Sequence, residues 1–131
     1  MRHRQVFVVD DDTDLRETLG ELLAEEGYRP RLCENGRVAL ERLRAGERPE
    51  LILLDLMMPE MNGWQFREAQ LEDDRLRDIP VVVMTASRGF EGHPITASEI
   101  LFKPIGLGDL MKAVERNAAH DGPGHSAAPP A

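Results

Sequence analysis

Cys33 is the only cysteine in this 131-residue sequence. One cysteine forms no internal disulfide and builds no cysteine-based zinc site. Cys33 falls in an expected strand and reads as a small core or edge residue. Lysine is almost as scarce: of 16 basic residues only Lys103 and Lys112 are lysines, and the rest are arginines. A lysine flanked by apolar residues therefore stands out. Aromatics make up 5% of the chain, and Trp64 and Phe66 read as packing residues on a helix. The four histidines, His3, His93, His120 and His125, lie in loops or near the termini, with no metal-ligand spacing. No apolar run is long enough to span a bilayer. The stretch Val6 to Val9, after the basic Met1-Arg2-His3-Arg4, ends in three aspartates and is too short for a signal-peptide core. A cytoplasmic chain without a membrane partner is expected. Positive charge is in deficit too. The net charge of -8 argues against direct binding of nucleic acid, which needs a basic surface.

What remains is an ordinary one-domain composition, 41% hydrophobic and 31% charged. Short apolar runs alternate with amphipathic stretches. Val6-Phe7-Val8-Val9 predicts a buried strand. A helix follows, capped by Asp12 or Thr13, with Leu15, Leu19, Leu22 and Leu23 on one face and Gly27 at its end. Tyr28 to Cys33 is more polar and predicts an edge strand. Val38, Ala39, Leu40 and Leu43 mark a second helix that stops near Gly46. Leu51-Ile52-Leu53-Leu54 predicts a central strand, terminated by Asp55. The loop from Met57 to Gly63 leads into a helix with Trp64, Phe66 and Leu71. Pro80 to Met84 and Ile100 to Phe102 predict the last two strands, and Leu107, Leu110, Met111 and Val114 a final helix. From Ala118 to Ala131 the sequence is rich in Ala, Gly, Pro and Ser without periodicity, which predicts a disordered tail after a domain over residues 1–117.

Such alternation implies an α/β fold, a doubly wound parallel sheet with helices on both faces. Ligands of such sheets bind beyond the C-terminal strand ends. The residues there are Asp10 and Asp11, Asp55, Thr85 and Lys103. Carboxylates crowded into one crevice raise each other's pKa values unless a cation neutralises them. Mg²⁺ suits oxygen ligands of this kind, and Asp10, Asp11 and Asp55 are candidate ligands. A carboxylate can also act as a nucleophile toward phosphorus. Asp55 is the candidate phosphoacceptor, with the Lys103 ammonium and the Thr85 hydroxyl binding phosphoryl oxygens. A cis Lys103–Pro104 bond would turn the chain and aim the lysine inward.

Four segments carry a resemblance. Val8-Val9-Asp10-Asp11-Asp12, Leu53 to Gly63 (with Asp55 and Met57-Met58-Pro59), Val83-Met84-Thr85-Ala86 and Phe102-Lys103-Pro104 resemble the signature segments of response-regulator receiver domains, in that family's order and at roughly its spacings. The likeness runs from about Gln5 to Asn117. It implies a flavodoxin-like five-stranded sheet of order 2-1-3-4-5, the order for which a receiver is the stock example. It also implies phosphorylation of Asp55 and Mg²⁺ held by Asp10, Asp11, Asp55 and the backbone carbonyl of Met57. Thr85 would be the switch hydroxyl and Lys103 the phosphate-binding lysine. The implied donor is a phosphohistidine on a sensor histidine kinase or a histidine phosphotransfer protein. The output would be a changed contact with a downstream protein, by a monomer or weak homodimer. Such a domain is a phosphoacceptor switch that assists its own phosphorylation and dephosphorylation, not an enzyme in the usual sense.

Two features depart from that family. Receivers usually place an aromatic residue three positions before the lysine, and here Ile100 stands there. The stretch between Thr85 and Lys103 is short, and Ser87 to Pro94 holds two glycines and a proline, which is poor helix material. The fourth of the family's helices is therefore expected to be truncated, displaced or replaced by a loop. With no output domain in sight, the chain reads either as a single-domain regulator or as a receiver cut from a longer protein. Two other readings compete. Phosphatases of the haloacid-dehalogenase type use Asp-x-Asp-x-Thr/Val, but the last position here is Asp14. A receiver fold whose switch has decayed would explain Ile100 but not the intact set of Asp10, Asp11, Asp55, Thr85 and Lys103.

Overall fold

Four consecutive apolar residues in one strand are buried only if both faces of the sheet are covered. The computed structural model, which describes residues 4–86 and 94–118, meets that condition. Its elements run β1 (Gln5–Val9), α1 (Thr13–Glu25), β2 (Arg29–Cys33), α2 (Gly36–Arg44), β3 (Leu51–Asp55), α3 (Gly63–Leu71), β4 (Val81–Thr85), β5 (Glu99–Phe102) and α4 (Leu107–Asn117). The five strands form one sheet of order β2-β1-β3-β4-β5, parallel at every pairing. That is the expected flavodoxin-like order.

Alternate residues of the strands feed two cores. Phe7, Val9, Ile52, Leu54, Val81 and Val83 meet Ala39, Leu40 and Leu43 of α2 and Phe66 of α3. Val6, Val8, Leu51, Leu53, Val82 and Met84 meet Leu19 and Leu23 of α1 and Leu110 and Val114 of α4. Every residue of β3 and β4 is buried, whereas β2 has Arg29 and Arg31 exposed, as an edge strand should. Asp12 caps α1, its side chain accepting from the Leu15 N–H at 3.1 Å. At the other end Gly27 takes φ +92°, its N–H donates to the Ala24 carbonyl, and the Tyr28 N–H donates to that of Leu23. This left-handed stop returns the chain to the sheet.

The structure refines the boundaries. Asp55 and Thr85 lie in the strands as their final residues, and β5 starts at Glu99. Ala86 and Pro94–Ser98, the described parts of the connection between β4 and β5, contain no helix, and Pro94–Ser98 leads into β5. This segment is irregular chain, with Ile95 and Ala97 packed on the α2–α3 side of the sheet and the Ser98 N–H bonded to the Val81 carbonyl at 2.8 Å. The expected irregularity thus extends over Pro94–Ser98, while Ser87 to His93 lie outside the described residues. Ala118 is buried against the α1–α4 core, and the tail expected beyond it also lies outside them. No helix among the described residues is long and apolar enough to cross a membrane.

Candidate metal and phosphoryl site

The strand order brings β1 and β3 side by side, with β4 next to β3, so their C-terminal residues share one edge. Asp10 directly follows β1 and is fully buried. Its main-chain N–H donates to the Cys33 carbonyl at 3.1 Å. Its carboxylate accepts from the Asp12 N–H at 2.9 Å on one oxygen and from Lys103 Nζ at 2.9 Å on the other. Its carbonyl accepts from Arg16 Nη1 at 2.7 Å. Asp11, next in the chain, is exposed.

Asp55 ends β3 with 4% of its surface exposed. Its Oδ1 accepts a long bond from the Met57 N–H, 3.4 Å, and lies 3.7 Å from Lys103 Nζ. Burial, and then the neighbouring charge of Asp10, push the Asp55 carboxyl up to about 6; Lys103 and the Met57 N–H pull the other way without prevailing. That shift corresponds to roughly 3 kcal/mol against the ionised form. The strand withstands it because Leu51 to Leu54 are fully buried, each contributing about 1.5–3 kcal/mol. Burial by itself would lower the pKa of Lys103, but the hydrogen bond and charge of Asp10, then the charge of Asp55, hold it above the ordinary value.

Thr85 is fully buried at the end of β4. Its carbonyl accepts from the Lys103 N–H at 2.8 Å, which ties the ends of β4 and β5 together. The Lys103–Pro104 bond is cis, and the lysine side chain is one-fifth exposed. A cavity of about 420 Å³ opens beside it, lined by Leu15, Leu19, Ala86, Pro104, Ile105 and Leu107 among others. Met57 stands 58% exposed next to the phosphoacceptor candidate.

Asp10, Asp11 and Asp55 each offer a carboxylate oxygen, and these lie within 4.8 Å of one another. An all-oxygen set of this charge fits a hard divalent cation such as Mg²⁺. Lys103 touches two of the three carboxylates, so Asp10, Asp11, Asp55 and Lys103 come together. Asp12 belongs to the helix cap, as expected. Ile100 is half-buried, pairs with Val83 and packs on the α2–α3 core. Two contacts at the site are not legible in the sequence. Arg16 reaches back to the Asp10 carbonyl. Gly63 opens α3 so close to the end of β3 that a Cβ there would lie 2.8 Å from the Asp55 carbonyl oxygen and 2.7 Å from the Leu56 side chain. The glycine in Met-Pro-x-Met-x-Gly was visible in sequence, but its contact was not.

Comparison with known proteins bears on this geometry directly. The family model for the response regulator receiver domain matches residues 6–115. The response regulator MprA of Mycolicibacterium vanbaalenii is 36% identical over 133 residues, covering 95% of this chain and 56% of that protein. The chain spans about half the length of the curated relatives it matches. Response regulator TrrA of Thermotoga maritima, solved in complex with Mg²⁺-BeF, superposes with a TM-score of 0.77 at 29% identity, covering 86% of this chain and 97% of that one. Chemotaxis protein CheY4 of Vibrio cholerae gives 0.80 at 27% identity, covering 88% and 99%. The chain belongs to the response-regulator receiver domain family, the receiving module of two-component signalling.

Proposed function

We propose that this domain takes a phosphoryl group onto Asp55 from a phosphohistidine and thereby switches its protein contacts. The carrying observation is the convergence of three carboxylate oxygens within 4.8 Å, with Lys103 bridging Asp10 and Asp55. The Asp55 carboxylate attacks phosphorus; a P–O bond forms while the bond from phosphorus to the imidazole nitrogen breaks, and the imidazole keeps that electron pair. With a pKa of about 6, Asp55 is mostly ionised at neutral pH and available as the nucleophile. Lys103 then turns from the carboxylates to a phosphoryl oxygen, and the Thr85 hydroxyl donates to another. Asp10, Asp11, Asp55 and the Met57 carbonyl would hold Mg²⁺. When bound, Mg²⁺ supplies positive charge against the charge spread over the phosphoryl oxygens.

The apolar cavity beside Lys103 supports a protein as the donor, a sensor histidine kinase or a histidine phosphotransfer protein, since a small phosphodonor has no use for it. The downstream target is another protein, and the domain acts in the cytoplasm as a monomer or weak homodimer. The acidic balance disfavours nucleic acid at this domain's own surface only.

A small-molecule phosphodonor, with and without Mg²⁺, tests the reading by intact mass on the wild type and Asp55→Asn. One Mg²⁺-dependent phosphoryl addition, absent in Asp55→Asn, is expected. No addition to a folded, Mg²⁺-supplied wild type would overturn it and leave a decayed interaction module.

A further inference from the structure

One side chain at this site has no part in the chemistry above and breaks a local rule. Arg16 lies in the first turn of α1, where the positive end of the helix dipole disfavours a cation. Its own N–H is already used, donating to the Asp12 carbonyl at 2.9 Å. The guanidinium nevertheless folds back over the helix start. It donates from Nη1 to the Asp10 carbonyl at 2.7 Å and from Nη2 to Thr13 Oγ1 at 3.4 Å.

The Asp10 carbonyl and the Asp11 N–H belong to one planar peptide unit. Whatever holds that carbonyl sets the plane of the unit, and the plane sets the direction in which Asp11 leaves it. The Asp10 carboxylate is already fixed by Lys103 and the Asp12 N–H. Asp11 is exposed, so packing does little to aim it. We propose that Arg16 is a positioning residue for the cation site: by gripping the Asp10 carbonyl it holds Asp11 in register with Asp10 and Asp55. The inference rests on the Mg²⁺-binding reading above.

Charge and position make opposite forecasts here. Arg16 is a positive group near a cation site, so by charge alone its removal should tighten Mg²⁺ binding. If it positions a ligand, its removal should weaken binding, as loss of groups that orient metal ligands commonly does. The test is Mg²⁺ titration of the full chain by calorimetry, on wild type, Arg16→Met and Arg16→Lys, with melting curves recorded without metal. Arg16→Met, which keeps the length but has no donor, is expected to bind Mg²⁺ about tenfold more weakly. Arg16→Lys keeps a donor and is expected to recover most of that loss. Unchanged or tighter binding by Arg16→Met overturns the proposal, and so does a lowered melting temperature with unchanged Mg²⁺ affinity, which would make Arg16 a merely structural residue. Should Arg16→Met fail to fold, Arg16→Ala is judged by the same criterion. A wild type that binds no Mg²⁺ would instead overturn the parent reading.

Discussion

On the β1–β3 side of the site, Asp10 is held at its N–H, its carbonyl and both carboxylate oxygens, and Asp55 closes a strand buried along its whole length. On the β4–β5 side, every residue of β5 is only half-buried. The chain leading into it, Pro94–Ser98, is secured by the Ser98 N–H, by Ile95 and Ala97, and by Arg67 Nε, which donates to the Thr96 carbonyl at 2.8 Å. The first region holds Asp10, Asp11 and Asp55 of the signature segments, and the second holds both departures from them, Ile100 and the short stretch after Thr85. The contrast separates two requirements. Phosphoryl transfer needs atoms placed to within tenths of an ångström, which only a rigid edge provides. Relay to a partner needs only that something move when phosphate arrives, and many shapes of chain can do that. The first region should therefore respond to changes of charge and the second to changes of packing, with little crossing between them.

The largest effect expected is on stability in the metal-free protein. Folding raises the Asp55 pKa to about 6, whereas an unfolded Asp titrates near its ordinary value. Below pH 4 both states hold the proton and the site costs nothing. As pH rises from about 4 to about 6 the unfolded state releases its proton while the folded state keeps it, so stability falls, by roughly 2–3 kcal/mol in total, and levels off above that range. Asp55→Asn should remove this slope. Denaturant melts at pH 7.5 without Mg²⁺ should find the variant about 1–3 kcal/mol more stable than wild type, with the gap closing toward pH 4. Added Mg²⁺ should narrow the gap at pH 7.5 by stabilising wild type more than the variant. A variant less stable than wild type at pH 7.5 would mean that the acidic cluster is neutralised from within, and the case for a cation would weaken.

A smaller effect is expected on the other side. Arg67 Nη1 donates to Gln70 Oε1 at 2.8 Å, and the buried Gln70 in turn donates to the Leu76 and Ile79 carbonyls. Arg67→Ala cuts the tie to Thr96 and strips an acceptor of its partner. A loss of about 1–2 kcal/mol is expected, with Mg²⁺ affinity within twofold of wild type. A parallel loss of Mg²⁺ affinity would show that the two regions are not separable.

How much of this could be read in advance follows the same division. Val6–Val9, Leu51–Leu54 and Val81–Met84 were legible because strands covered on both faces show as continuous apolar runs, and the site followed from what stands after them. β5 begins one residue before the apolar run Ile100 to Phe102 that predicts it, because Glu99, paired with Arg116 and Asn117, is polar in an edge strand. The capping box that joins Asn62 and Gln65 spans the junction of the Met57–Gly63 loop and α3, where no apolar period marks the helix start. Arg16 gave no signal, being one arginine among many with a partner defined only by the rotamer it adopts. The glycines that predict an irregular fourth helix, Gly89 and Gly92, lie outside the described residues, and nothing in Pro94–Ser98 itself announces its course along α3. That course depends on a carbonyl accepting from Arg67, and carbonyls leave no mark in a sequence.

The finest test falls on the one place where the rigid region offers a choice of side chain. Met57 follows Asp55 by two positions, turns its N–H toward the Asp55 carboxylate and leaves 58% of its surface exposed. On the proposed function, water attacking an aspartyl-phosphate on Asp55 passes this side chain. A thioether neither orients nor activates that water, whereas an amide can do both. Met57→Asn is therefore expected to shorten the phosphoryl half-life about threefold, equal to roughly 0.7 kcal/mol of barrier, while the rate of phosphorylation by a small donor changes less. The half-life is read by intact mass after removal of the donor. An unchanged half-life would mean that the lifetime is set elsewhere, by Lys103 and Thr85 holding the phosphoryl group rather than by what screens it from water.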